Sequence, residues 1–361
     1  MRFALLTLGA LTAAAPLTAQ SDVTAGRAVI IGVQARGYSI DNGPSSQQFA
    51  FPLAVVVPVN ERFTFDIGTY YASTSTTPSG GSKVSLNGIT DTQVRGSYTF
   101  GRDALVTTLM VNIPTGSTPT ITESSATGAA AANFLSFPVN NYRTGFAVTG
   151  GVAAATQAGS WNLGIAGSVR LNSQYAPFSD DNTRYSPGTE GRVRLAAERL
   201  LGNSRLVLGF TWSTFGNDEF KNLGGGSGQY APGDRFIGEA SMSFLVGKGT
   251  VTGYLWDYYR TSASGSGITS NKENILSVGG GGSWPIGTNM RLEPIFEARF
   301  WSPQSGSGRL VSAGTGLQIP LGSRFTFAPS GRFDVGSTKF TDGSDHSLTG
   351  WGFSALLRYQ I

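Results

Sequence analysis

Residues 161–175 alternate between two chemistries. Trp161, Leu163, Ile165, Gly167, Val169 and Leu171 take the odd positions, and Asn162, Gly164, Ala166, Ser168, Arg170, Asn172 and Gln174 the even ones. Side chains switch faces at every residue of a strand, so this pattern predicts a strand with one apolar and one polar face. The pattern recurs. Phe63, Phe65, Ile67 and Tyr71 alternate with Arg62, Thr64, Asp66 and Gly68. Leu206, Leu208, Phe210 and Trp212 alternate with Val207, Gly209, Thr211 and Ser213. Phe236, Ala240, Met242, Phe244 and Val246 face away from Arg235, Glu239, Ser241 and Ser243. Leu292, Pro294, Phe296, Ala298 and Phe300 do the same against Arg291, Glu293, Glu297 and Arg299. No segment sustains a helical period. The runs are roughly 10–14 residues long; strands of globular proteins average ~5–6 and a tilted membrane strand needs ~9–11.

The connections alternate in length. Tight turns are expected at 58–61, 101–104, 157–160, 201–204, 247–249, 286–289 and 320–322, and longer links rich in Gly, Ser, Thr and Asn at 39–47, 74–87, 115–142, 176–190, 217–233, 263–272, 303–308 and 338–347. Short turns at one end and long loops at the other are the mark of an outer-membrane barrel. The expected fold class is therefore all-β: a transmembrane up-and-down antiparallel β-barrel of about sixteen strands. The strands should start near residues 27, 48, 62, 88, 105, 143, 161, 191, 205, 234, 250, 273, 290, 309, 323 and 348. Fourteen is the alternative, because Pro52 and Arg36 disturb the first two runs.

A charge on the lipid face of such a barrel costs about 2–4 kcal/mol at mid-membrane, so the apolar face must point outward. The lumen-lining candidates are then Arg62, Asp66, Arg95, Arg143, Arg170, Arg192, Arg194, Arg235, Glu239, Arg291, Glu293, Glu297, Arg299, Arg324, Arg332, Asp334 and Arg358. Arg36, Glu198 and Asp257 are expected to face inward with them. Arginine is in excess, and its rigid fork suits both cross-strand carboxylates and passing anions. Tyr70, Tyr71, Tyr98, Phe100, Trp161, Tyr175, Trp284 and Trp301 are expected to contribute to interfacial girdles. The longest link, 115–142, contains the small apolar stretch 126–135 and one acid, Glu123. Such a loop gains little from waving in water, so it is expected to fold into the lumen or over its mouth.

Composition narrows the remaining choices. Charged residues make up 13% of 361, and 50 are Gly. With no Cys and one His, thiol chemistry, Cys-ligated metals and multi-His sites are excluded. A net charge of +4 is too small over this length to argue for nucleic acid. Met1-Arg2 followed by the apolar run 3–15 and Ala19 reads as a signal peptide over 1–19, leaving 20–361 as the barrel.

The last run carries Trp351, Phe353, Ala355, Leu357, Tyr359 and Ile361 on one face. It resembles the closing strand read by the barrel assembly machinery, with Ile361 where that pattern usually has an aromatic residue. Gly88-Ile89-Thr90-Asp91-Thr92, then Tyr98 and Phe100, then Ile113-Pro114-Thr115-Gly116 resemble outer-membrane barrels of the FadL-like group. Within that group the resemblance is to the phenol meta-pathway type associated with aromatic degradation, and it implies uptake of small hydrophobic molecules. Long-chain fatty-acid transporters of the group carry a plug ahead of the first strand. Here the first strand is expected near Arg27, which leaves no room for one and favours a simpler channel.

The expected role is an outer-membrane channel for passive uptake of small solutes or hydrophobic compounds. A structural or adhesion barrel with a blocked lumen is the alternative, and a hydrolase at the rim comes third. His346 sits in Thr341-Asp342-Gly343-Ser344-Asp345-His346-Ser347 and reads as a solvated loop residue, because sequence neighbours seldom converge as a triad. Asp180-Asp181-Asn182 lacks a complete Ca²⁺ loop motif, and 224–228 lacks the Lys-Ser/Thr of a phosphate loop. No cofactor or metal is expected. The expected partners are outer-membrane lipid and lipopolysaccharide, the assembly machinery and a small solute; the oligomeric state is open.

Overall fold

The computed structural model describes residues 27–101, 104–223, 226–265, 268–304, 306–339 and 343–361. The proposed leader lies outside them. Sixteen barrel strands follow in order: β1 Ala28–Ile40, β2 Ser45–Pro58, β3 Phe63–Thr77, β4 in two pieces (Val84–Ile89 and Thr92–Phe100), β5 Leu105–Ile113, β6 Ala147–Ala158, β7 Trp161–Asn172 and β8 Glu190–Leu201. The second half is β9 Ser204–Phe215, β10 Arg235–Val246, β11 Gly249–Arg260, β12 Glu273–Ile286, β13 Met290–Pro303, β14 Ser307–Leu321, β15 Phe325–Lys339 and β16 Asp345–Gln360. Every strand pairs antiparallel with its sequence neighbour, and β1 pairs with β16 from Ala28↔Gln360 to Ile40↔Leu348. The sheet is closed and has no free edge, which a barrel in lipid requires.

Six of the seven tight turns place a glycine at φ 60–75° (Gly101, Gly159, Gly202, Gly247, Gly287 and Gly322), a conformation that penalises a Cβ. The seventh relies on a side chain: Asn60 Oδ1 accepts from the backbone N–H groups of Arg62 (2.9 Å) and Phe63 (2.8 Å). The two expected starts furthest from the structure are those of β4 and β6. β4 begins earlier, at Val84, because 84–89 still pairs with β3. β6 begins later, at Ala147, because 143–146 belong to the neck of the long loop.

The apolar face is outside. Ile165 is 57% exposed and Leu171 59%, whereas Asp334 on the opposite face is fully covered. A soluble protein would bury the first two. Among the described residues no helix is long and apolar enough to cross a membrane. Trp161, Tyr71, Tyr98, Phe100 and Trp284 share the outward face by register. Three expected girdle residues are elsewhere. Tyr70 is on the inner side and packs with Leu86, Val139 and Tyr142. Trp301 stacks on Phe134 of the long loop (5.5 Å between ring centres). Tyr175 lies in the link between β7 and β8. The expectation for Asp257 also fails: it pairs with Gly238 and Leu276, so it faces outward three residues from the end of β11, where Asn274 Nδ2 donates to it (2.7 Å). Near a strand end it meets the polar interface, not hydrocarbon, and the charge is tolerable there.

Candidate functional site

The link between β5 and β6 enters the barrel. It holds one short helix, α1 Ser124–Ala130, which packs near β2, β3 and β4. Beyond α1, Phe134, Phe137, Val139 and Tyr142 are all at most 5% exposed. Their neighbours are inward side chains of distant strands. Phe137 meets Tyr38 edge-on at 5.6 Å. Phe134 and Phe137 join Tyr258, Ile275, Leu310 and Leu348 in one apolar cluster. The loop thus crosses from its own wall to β11–β16 and β1–β3.

Polar contacts hold it there. Gln48 on β2 pairs with the Val139 backbone in both directions: its Nε2 donates to the carbonyl (2.7 Å) and its Oε1 accepts from the N–H (2.7 Å). Tyr142 shares a hydroxyl hydrogen bond with Thr74 (2.7 Å). Arg36 donates to the carbonyls of Leu135 and Ser136. Arg299 donates to the Phe134 carbonyl (2.6 Å) and to Ser136 Oγ. Both arginines are nearly covered, so their charge must be answered locally. Glu297 pairs with Arg299 (2.5 Å) and Arg332 (3.4 Å), and Arg332 pairs with Asp334 (2.8 Å). Three guanidinium groups and two carboxylates, capped by loop carbonyls, lock the tip against the wall.

The neck of the loop is fastened differently. β4 breaks at Thr90-Asp91, and the Asp91 carboxylate collects four hydrogen bonds from the loop's two ends. Oδ1 accepts from Gly116 N–H (2.9 Å); Oδ2 accepts from Asn112 Nδ2 (2.9 Å), Thr144 N–H (2.7 Å) and Thr144 Oγ1 (3.1 Å). Thr115 Oγ1 accepts from Thr92 N–H (2.9 Å). Gly116 has to be glycine for steric reasons: a Cβ there would sit 2.0 Å from the Tyr142 carbonyl oxygen and 2.7 Å from Asp91 Oδ1. The two short stretches that resemble the FadL-like group, 88–92 and 113–116, are therefore the two halves of one clasp. Asp91→Ala leaves several covered donors without an acceptor and should cost about 2–4 kcal/mol. The check is the urea midpoint of the folded barrel in detergent micelles, with Asp91→Asn falling between the two.

The lumen-lining candidates divide by what they touch. Asp66 pairs with Arg95 (2.8 Å), Arg192 with Glu190 (2.5 Å) and Arg194 with Glu239 (2.6 Å). Glu198 takes Arg205 in a two-point contact (2.8 and 3.1 Å). Arg291 donates to Ser283 Oγ (2.8 Å), and Glu293 accepts from Gln318 (2.8 Å). Glu297, Arg299, Arg332 and Asp334 form the lock. Arg170 donates to Asn172 (2.9 Å), Arg235 lies over the Phe215 ring (4.6 Å), and Arg358 is on the inward register of β16 near the turns. Arg143 is in the neck, donating to Thr118 Oγ1 (2.5 Å), and Arg62 and Arg324 sit exposed in tight turns. Among the described residues Arg170, Arg235, Arg291 and Arg358 form no ion pair. The wall from β7 to β11 presents Arg170, Arg192, Arg194, Arg235 and Arg260 on its inward register.

Sequence reasoning missed Gln48, Asp91 and the inward aromatic run Tyr254, Trp256 and Tyr258 on β11. The run was legible in part: Gly279 sits opposite Tyr254, and a Cβ on it would lie 2.5 Å from the Tyr254 ring.

Above the mouth, three links build a second sheet from Arg184–Ser186, Asp218–Leu223, Gly226–Ala231, Ala263–Gly265 and Ile268–Ser270. Asp218 anchors it, accepting from the Tyr185 hydroxyl and from Gly188 N–H (2.6 Å). Burial, and next the Asp218 contact, hold the Tyr185 phenol well above its usual pKa. Burial pushes Tyr175 beside it up to about 12. His346 is not a free loop residue. It is the second residue of β16 and uses both ring nitrogens, one on Ser344 Oγ and one on the Asp41 carbonyl (2.8 Å each).

No family model matches the sequence, and no curated protein does. Solved structures do match over most of the chain. A monoaromatic hydrocarbon channel, CymD, is 10% identical with a TM-score of 0.48, covering 93% of this chain and 88% of its own. The outer-membrane channel DcaP of Acinetobacter baumannii is 12% identical with a TM-score of 0.43, covering 94% and 98%. The anion-selective porin of Comamonas acidovorans is 14% identical with a TM-score of 0.40, covering 93% and 98%. All three are outer-membrane barrels by architecture.

Proposed function

We propose that this protein is an outer-membrane channel through which small solutes pass passively. The passage runs between the inserted loop and the arginine-bearing wall β7–β10. One observation carries the reading: the loop tip is hydrogen-bonded to side chains on the far side of the barrel, while Arg170 and Arg235 on β7 and β10 have no ion-pair partner among the described residues. A barrel of sixteen strands is wide enough for an aqueous lumen, and the loop narrows it while supplying a single acid, Glu123, whose carboxylate accepts from Thr120. Small anions are the favoured solutes, since unpaired guanidinium groups raise their local concentration. The FadL-like resemblance adds small hydrophobic compounds as a second class. Lipid and lipopolysaccharide cover the apolar face, and the run ending at Ile361 is the element offered to the assembly machinery.

The test is planar-bilayer conductance with a KCl gradient, paired with liposome swelling by neutral and charged solutes. The expected result is discrete steps with a reversal potential on the anion side. A folded barrel that inserts and passes neither ions nor neutral solutes would instead be a structural or adhesion barrel with a blocked lumen.

A further inference from the structure

One rung of the sheet concentrates positive charge. Reading directly across strands at one level, Ser168 on β7 pairs with Arg192 on β8, Arg192 with Ser213 on β9, Ser213 with Arg235 on β10, Arg235 with Arg260 on β11, and Arg260 with Glu273 on β12. Directly paired residues share a face, so three arginines point into the lumen within four neighbouring strands. Arg192 is answered by Glu190 (2.5 Å) and donates to Ser213 Oγ (3.2 Å). Arg260 reaches Glu273 only at 3.6 Å, Glu273 also accepts from Trp301 Nε1 (2.8 Å), and Arg260 Nε is covered with no acceptor. Arg235 is exposed, leans over Phe215 and forms no ion pair among the described residues. Like charges directly opposite each other in a sheet are destabilising. Neutral side chains at either position would brace the wall better.

We propose that Arg235 and Arg260 form an anion seat at the outer mouth that takes the carboxylate of a small organic acid. Strand spacing of about 4.8 Å sets the two side chains close enough for one planar oxyanion to answer both. The planar fork of guanidinium matches carboxylate in particular. The next rung toward the tight turns carries Ile237 and Tyr258, and Phe215 flanks Arg235, so the seat is charged above and apolar beside. This arrangement favours an acid with an apolar body over an inorganic anion. The seat names the solute class of the proposed channel, and it rests on that reading only for its transport consequence.

The experiment titrates sodium benzoate into the full barrel in detergent micelles by calorimetry, with inorganic phosphate and benzyl alcohol as parallel probes. Benzoate should bind saturably while the other two do not. Arg235→Gln should weaken benzoate by about tenfold or more, as expected for losing a charge-assisted pair. Without ligand, Arg235→Gln should also raise the thermal midpoint, because it removes a repulsion and no carboxylate partner. Unchanged benzoate affinity in R235Q, no binding to the wild type, or phosphate binding as well as benzoate would each overturn the proposal, as would a lowered midpoint in R235Q. Bilayer recordings of the same protein separate the two claims. Benzoate binding without conductance upholds the seat and removes the channel; conductance without benzoate binding does the reverse.

Discussion

Replacing residues 120–135 with a short Gly-Ser linker should raise single-channel conductance several-fold. The deletion removes α1 and Phe134, and with them the contact with Trp301 and the carbonyls that Arg36 and Arg299 hold at residues 134 and 135. The clasp at Asp91 lies outside the deleted stretch, so the neck and the sheet stay intact. Arg36, Arg299 and Arg332 would then face water, where their charge is solvated instead of capped. The barrel should therefore fold and widen, with its anion preference kept or strengthened. Wild-type conductance in the shortened protein would mean that the loop does not bound the path. Circular dichroism and heat-modifiable gel mobility check that the variant is folded before it is recorded.

Ile165→Arg should destabilise the barrel by about 2–4 kcal/mol, while Ala153→Arg one strand away should change stability by only about 0.5 kcal/mol. Ile165 is on the outward, apolar face in the middle of β7 and over half exposed. Ala153 pairs with Ala166 on β7 and shares the inward face. The same charge is added in both variants and only the face differs. Reversible unfolding in lipid vesicles measures the two values. Equal costs, or a larger cost at Ala153, would show that the apolar face is not the one in hydrocarbon.

Strand existence and facing were readable because both are local. A period of two states which side chains share a face, and the price of a charge in hydrocarbon states which face that is. Hence Arg170, Arg192 and Arg194 fall on the polar face one strand at a time, and the register of β7 and β8 keeps them on one face. Asp257 shows where that logic stops. It was assigned inward with the other acids, yet its neighbours Tyr254, Trp256 and Tyr258 set the register of β11 and turn it outward. Aromatic residues suit either face, so periodicity on β11 was ambiguous. Trp301 and Tyr70 failed for the same reason: a large ring serves an interfacial girdle or an inner cluster equally well. The apolar, charge-poor stretch of the long loop pointed to a place in the lumen or over its mouth, and contacts with inward side chains such as Tyr38 and Leu310 put it inside. Its docking points were not, since Gln48–Val139 spans 91 residues and Arg299–Phe134 spans 165.

By itself the sequence determined an antiparallel barrel of about sixteen strands, with fourteen as the alternative, and which face of each regular strand is apolar. Those follow from residue-by-residue alternation and from turn chemistry, and they need no knowledge of distant partners. Only the tertiary structure decided which arginines are spent on the loop, which on carboxylates and which stay available. It also decided that Asp91 and Gly116 form one clasp and that Arg235 stands directly opposite Arg260. Those pairings depend on strand register and on where a long loop comes to rest, and both are settled by contacts between residues far apart in the chain.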